Sequence, residues 1–310
     1  MYRTLAPLRG APVVPRGGGG PALIAVAHGS RDPRSAATMT AVVADVAAAR
    51  PDRTVRLAFL DLSAPSVDQV VDELAAQGHT DVIVVPLLLG NAFHARVDLP
   101  ALLAEAGRRH PRMRLEQTDV LGRDALLIEA LWDRVVAAVA IGGHGAATAG
   151  PLAGLPNAHP SRAAGQGNPM ADHTRATRLA ENVEADGLVG ATVESLGIVV
   201  AAVGSRQAAA NVRTAAVARR LSAATGIRTE LCFATVEPGI TTAMERLRAR
   251  GAAHLVVAPW FLAPGLLTDR LLAAAPEVVH ADVIGAHPAL TEVIWARYDS
   301  ATATELELSA

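Results

Sequence analysis

Residues 57–89 read LAFLDLSAPSVDQVVDELAAQGHTDVIVVPLLL, and this stretch decides the fold. An aliphatic run stops at Asp61, and a Ser-Ala-Pro-Ser segment turns the chain. From Val67 the apolar residues recur at three- and four-residue intervals, the period of one helix face, until Gly78 ends the pattern. A second aliphatic run opens at Asp81. The reading is strand, turn, helix, strand. Runs so uniformly apolar are buried on both faces, so the two strands lie parallel in one sheet that the helix covers.

The alternation continues outward. ALIAVA (22–27) precedes it as a strand and RLEQTDVL (114–121) follows it, while 35–50, 98–110 and 124–140 have helical period. Pro100 sits where a first helical turn tolerates proline. Beyond residue 194 the same units return: LIAVAHGSRDPRSA finds an echo in IVVAAVGSRQAAAN (198–211), and residues 57–89 in LCFATVEPGITTAMERLRARGAAHLVVAPWFL (231–262). The expected fold is α/β, two tandem related domains, each a mostly parallel sheet of about four strands flanked by helices. The chain is expected to divide into a disordered leader (1–20), a first domain (21–140), a Gly/Pro/Ala-rich linker or insertion (141–193), a degenerate second domain (194–303) and a tail (304–310).

Bulk composition narrows the partners. With 51% hydrophobic but only 3% aromatic residues, apolar volume comes from Ala, Val, Leu and Ile, which suits close-packed layers and not a base-stacking platform. A formal net charge of -2 with no basic block argues against nucleic acid. No apolar run approaches the length of a membrane span, and Pro and Gly interrupt residues 1–20 where a signal peptide needs a continuous apolar core. The single cysteine, Cys232, excludes an internal disulfide framework. A cytoplasmic protein is expected.

In a parallel sheet, ligands bind at the carboxyl ends of the strands. His28 ends the first strand, Asp61 the second, and His94 lies in the loop GNAFHARVDLP after the third. Two imidazoles and a carboxylate suit a borderline divalent ion, and imidazole also accepts protons near neutral pH. In the second copy Val203, Ala234 and Leu267 align with these three residues, so the polar set is confined to one half. Other motifs fail: Ala27 stands where a histidine phosphatase needs arginine, HGSRD is no Gly-x-Ser-x-Gly elbow, and neither a P-loop nor a dinucleotide fingerprint follows a strand. His144, His159 and His173 are irregularly spaced in the linker and read as solvated.

AHGSRDPRS, AFLDLSAPSV and VIVVPLLLGNAFHARVDLP together resemble the ATP-independent class II tetrapyrrole chelatases, the sirohydrochlorin ferrochelatase and cobaltochelatase family, in its two-domain bacterial form. The resemblance covers residues 22–138 and, in degenerate form, 196–300. It implies a lyase with no tightly bound cofactor, for which Fe2+, Co2+ or Ni2+ is a substrate. His28 and His94 become the metal-handling, catalytic pair. Asp61 stands where relatives carry glutamate, one methylene longer, which leaves it open between direct ligation, ligation through water and a supporting place. Sirohydrochlorin, rich in carboxylates, is expected in the cleft between the domains, met by Ser30, Arg31, Arg34 and Arg96 and, from the second copy, Ser205 and Arg206. Iron insertion for sirohaem is favoured, with cobalt insertion for cobalamin as the alternative and a non-catalytic metal or tetrapyrrole carrier as the alternative of another class. A two-lobed binding protein of periplasmic type is a further reading, opposed by the lack of a signal peptide. Because the second copy can replace a dimer partner, a monomer is favoured.

Overall fold

The structure, a computed structural model, describes residues 20–90, 97–143 and 195–308. The leader through residue 19, the loop 91–96 with His94 and Arg96, the segment 144–194 with His144, His159 and His173, and residues 309–310 lie outside the described residues.

Strand and helix alternate throughout. The first half runs β1 (Ala22–Ala27), α1 (Pro33–Ala49), β2 (Val55–Phe59), α2 (Val67–Ala76), β3 (Asp81–Pro86), α3 (Leu99–Arg109), β4 (Arg114–Gln117) and α4 (Ala125–Gly143). The second runs β5 (Leu196–Ala202), α5 (Ala208–Thr225), β6 (Arg228–Phe233), α6 (Ile240–Ala249), β7 (His254–Pro259), α7 (Leu266–Ala274), β8 (Val279–His280) and α8 (Pro288–Leu308). Each half forms a parallel four-stranded sheet, in the orders β2-β1-β3-β4 and β6-β5-β7-β8. Ala25 of β1 pairs with Leu57 on one side and Val85 on the other, while Val200 of β5 pairs with Leu231 and Ala258.

Local chemistry accounts for the helix starts. Ser66 accepts the Gln69 N–H at 3.3 Å and the Gln69 side chain accepts the Ser66 N–H at 2.9 Å, a reciprocal cap. Asp32 caps α1 by accepting the Arg34 N–H at 3.0 Å, with Pro33 in the first turn.

Side-chain alternation along β1 splits the core. Ala22, Ile24 and Val26 face outward onto α2 and α3, while Leu23, Ala25 and Ala27 face inward. The outer face of the second sheet packs against α6 and α7 in the same way. Both inward faces join one continuous apolar core whose middle layer is α1, α4, α5 and α8. The last helix of each half crosses over: α4 packs on β7, β8 and α5, and α8 packs on β3 and α1. Reciprocal bonds fix the crossing. Arg134 of α4 donates to the Ile284 carbonyl at 2.8 Å, and Arg297 of α8 donates to the Leu121 carbonyl at 3.1 Å. Trp132 and Trp295 occupy matching buried positions on these helices, and the Trp295 indole N–H reaches the Val46 carbonyl at 3.1 Å.

Among the described residues no helix is long and apolar enough to cross a membrane. Cys232 is buried, and burial pushes its thiol pKa up to about 12, which makes it unreactive at neutral pH.

Candidate functional site

Both sheets present their carboxyl ends at the same junction. His28, the first residue beyond β1, is exposed, and its carbonyl accepts the Asp61 N–H at 3.0 Å. This bond joins the loops that follow β1 and β2. Gly29 makes the approach feasible: its φ is +92°, and a Cβ there would lie 1.7 Å from the Asp61 carbonyl oxygen. Asp61 is exposed, and one carboxylate oxygen accepts the Leu62 N–H at 2.7 Å. Ser63 completes the junction by accepting the Ser30 N–H at 3.1 Å and donating to the Ser30 carbonyl at 3.0 Å. Sequence reasoning did not single out Ser63, and no local pattern marks a contact between separate loops.

The candidate substrate residues divide by role. The Ser30 hydroxyl accepts the Asp32 N–H at 3.0 Å, which holds the turn, and Arg31 is exposed beside it. The second half repeats this turn: Ser205 accepts the Gln207 N–H at 3.1 Å and Arg206 is exposed. Arg34 is already paired. Its guanidinium donates to Asp269 of α7 at 3.1 and 2.5 Å and to Asp32 at 2.5 Å, so it spans the two halves. Asp32 holds the Arg34 pKa above its ordinary range, assisted by Asp269, and Arg34 in turn lowers that of Asp32. His94 and Arg96 lie outside the described residues, so the structure brings together His28, Asp61, Ser30 and Arg31 and leaves the other two unplaced. Among the described residues no three potential ligands gather into a metal cluster.

Comparison with the second half corrects one alignment. The Thr235 N–H donates to the Val203 carbonyl at 3.1 Å, as the Asp61 N–H does to His28, so Thr235 and not Ala234 stands at the Asp61 position. The first loop is one residue longer between the equivalent strand end and proline, and Leu62 in it adopts φ 60°. The shared Gly-Ser-Arg signal remains valid on either side of that slip.

Several exposed apolar side chains follow strand ends in the chain: Leu62 after β2, Val97 after β3, Val203 after β5 and Leu266 at the start of α7.

The chain is similar to known proteins in sequence and fold. The CbiX family model matches residues 22–138 and again 197–301. A sirohydrochlorin ferrochelatase of Bacillus subtilis (strain 168) is 29% identical over 114 residues, covering 37% of this chain and 44% of that protein, so the match spans less than half of that relative. A sirohydrochlorin cobaltochelatase of Methanothermobacter thermautotrophicus is 30% identical over 132 residues, 38% of this chain and 92% of that protein. The solved structure of SirB from Bacillus subtilis with Fe3+ matches with a TM-score of 0.64 at 20% identity, covering 92% of this chain and 97% of that one, a likeness of fold.

Proposed function

The chain belongs to the CbiX family, and from that premise we propose that it is a sirohydrochlorin chelatase, a lyase that inserts a divalent metal, with Fe2+ favoured, into sirohydrochlorin for sirohaem formation. The observation that supports this most is the joined pair of strand ends carrying His28 and Asp61, at a place where the second half has Val203 and Thr235. The scaffold folds with either set, so the polar set serves chemistry.

Insertion exchanges one divalent ion for two pyrrole N–H protons. The residues proposed to handle the ion are His28 and His94, with Asp61 direct, through water or in support. Imidazoles can hold a metal loosely with positions vacant and accept protons as it leaves. Tight binding would oppose release. The apolar side chains Leu62, Val97, Val203 and Leu266 offer contact to the faces of the macrocycle, and Arg31, Arg34, Arg96 and Arg206, with Ser30 and Ser205, are the residues proposed to meet its carboxylates. In this reading residues 21–140 perform the chemistry, residues 194–303 complete the rim, and the continuous core between the halves supports a monomer.

Cobalt is the second reading, favoured by the name of the archaeal relative, since imidazole and carboxylate accept either ion. The test is metal insertion into sirohydrochlorin followed optically with Fe2+ and with Co2+, for the wild type, His28→Ala and His94→Ala. Multiple turnovers with loss in both variants are expected. At most one metallated product per chain would turn the reading toward a carrier, and wild-type rates in both variants would remove the two histidines from the mechanism.

A further inference from the structure

The bridge between the halves at Arg34 suggests how a carboxylate enters the site. Arg34 lies six residues beyond His28, and Asp269 reaches it from the other half at 3.1 and 2.5 Å, one carboxylate oxygen to each terminal nitrogen. That parallel fork is the geometry any carboxylate uses on a guanidinium. Asp32 grips the same group from its own helix terminus, with Nε at 3.1 and 3.2 Å and Nη2 at 2.5 Å. The guanidinium therefore keeps its aim when Asp269 departs.

The surroundings favour a built feature. A Cβ on Gly265 would lie 4.0 Å from Asp32, so the loop after β1 and the loop after β7 meet at this point. The bridge is one-sided: at the positions of Asp32 and Arg34 the second half has Gln207 and Ala209. Arg34 and Asp269 are half exposed, with side chains 50% and 48% accessible, and an exposed pair exchanges readily. The shared core and exchanged helices resist any hinge motion of the halves, which leaves movement of side chains and loops to admit a substrate.

We propose that Asp269 is an internal stand-in for substrate: it occupies Arg34 until substrate binds, and a peripheral carboxylate of the tetrapyrrole displaces it and takes the same two bonds. The inference rests on the chelatase reading and adds a residue in the second half that sets substrate affinity. Asp269 competes with substrate, so it weakens binding and sharpens the requirement for a carboxylate at that corner of the ring.

The test is titration of the full chain with metal-free sirohydrochlorin, in the absence of metal, by absorbance. Asp269→Asn, nearly isosteric, should lower Kd about threefold to tenfold, and Arg34→Ala should raise it by a similar factor. In the Arg34→Ala background, Asp269→Asn should change nothing further, because its effect passes through Arg34. Arg34→Lys should fall between wild type and Arg34→Ala. Unchanged or weaker binding in Asp269→Asn, or additive effects in the double variant, overturns the exchange. A wild type that neither binds sirohydrochlorin nor metallates it sinks the chelatase reading instead, so the two failures are distinguishable.

Discussion

The two halves part at single positions of a shared frame. After β1 the chain reads His-Gly-Ser-Arg and after β5 Val-Gly-Ser-Arg, with the same hydroxyl-to-backbone bond closing each turn. One loop further, the counterpart of Asp61 is Thr235, whose hydroxyl is turned back onto the Val203 carbonyl at 2.7 Å. The turn is thus the common architectural part, and the groups proposed to handle the metal are the part that differs.

The most severe test moves a residue between the halves. His28→Val imports the second half's choice and should lower metal insertion by about 100-fold or more, the scale of a lost acid–base or ligating group, while Tm stays unchanged because the position is exposed. The reverse change, Val203→His, should restore nothing to that variant, since Thr235 supplies no carboxylate. Recovered turnover in the double variant would mean that the halves are interchangeable after all.

A smaller difference is expected at the glycines. In Gly29→Ala the new Cβ meets the Asp61 backbone at 1.7 Å, so the loop must move as well as bear a strained φ, and urea denaturation should report a loss of about 3 kcal/mol together with reduced activity. In Gly204→Ala the nearest atoms are side-chain atoms of Val236, Phe233 and Thr235 at 2.8 to 3.0 Å, and about 1–2 kcal/mol is expected. Equal losses would show that the junction of the first two loops is no tighter than its counterpart.

The least effect concerns pH. Arg34 lowers the Asp32 pKa through its side-chain bonds and its backbone N–H, whereas the equivalent Gln207 does not titrate. A carboxyl group with a depressed folded pKa adds stability above the ordinary carboxylate range and loses it as the pH falls through the lowered value. Asp32→Asn should therefore lower Tm slightly at neutral pH, with the gap closing in acid, and Gln207→Glu should create no matching gap. A difference that persisted in acid would assign the effect to packing.

Much of this was legible in residue order. Buried parallel strands read as unbroken aliphatic runs, so β1 and β3 were plain, and Ser66 and Pro100 marked helix starts. The strand-end rule nominated His28 and Asp61 together, and the loop bond between them bears on that pairing. Three features escaped for physical reasons. The extra residue beside Leu62 shifts register inside a loop, where no periodicity reports it. The Arg34–Asp269 pair joins exposed residues 235 positions apart, and nothing local predicts such a partner. An amphipathic period states that α4 and α8 bury a face but not against which sheet, although LWDR at 131–134 and IWAR at 294–297 were available as a sign that they correspond.

The exchanged helices have a consequence for how such a chain arises. A half cut free would present an uncovered sheet face and a helix with nothing to cover, and a second copy supplies both needs. A pair of identical subunits must place every substitution twice, once in each partner, so it cannot hold histidine on one side of its cleft and valine on the other. Joining the copies in one polypeptide lifts that obligation: each can drift alone while the reciprocal Arg134 and Arg297 contacts keep them mated. Lopsidedness at His28 and Val203 is what a tandem duplication permits and a symmetric assembly forbids.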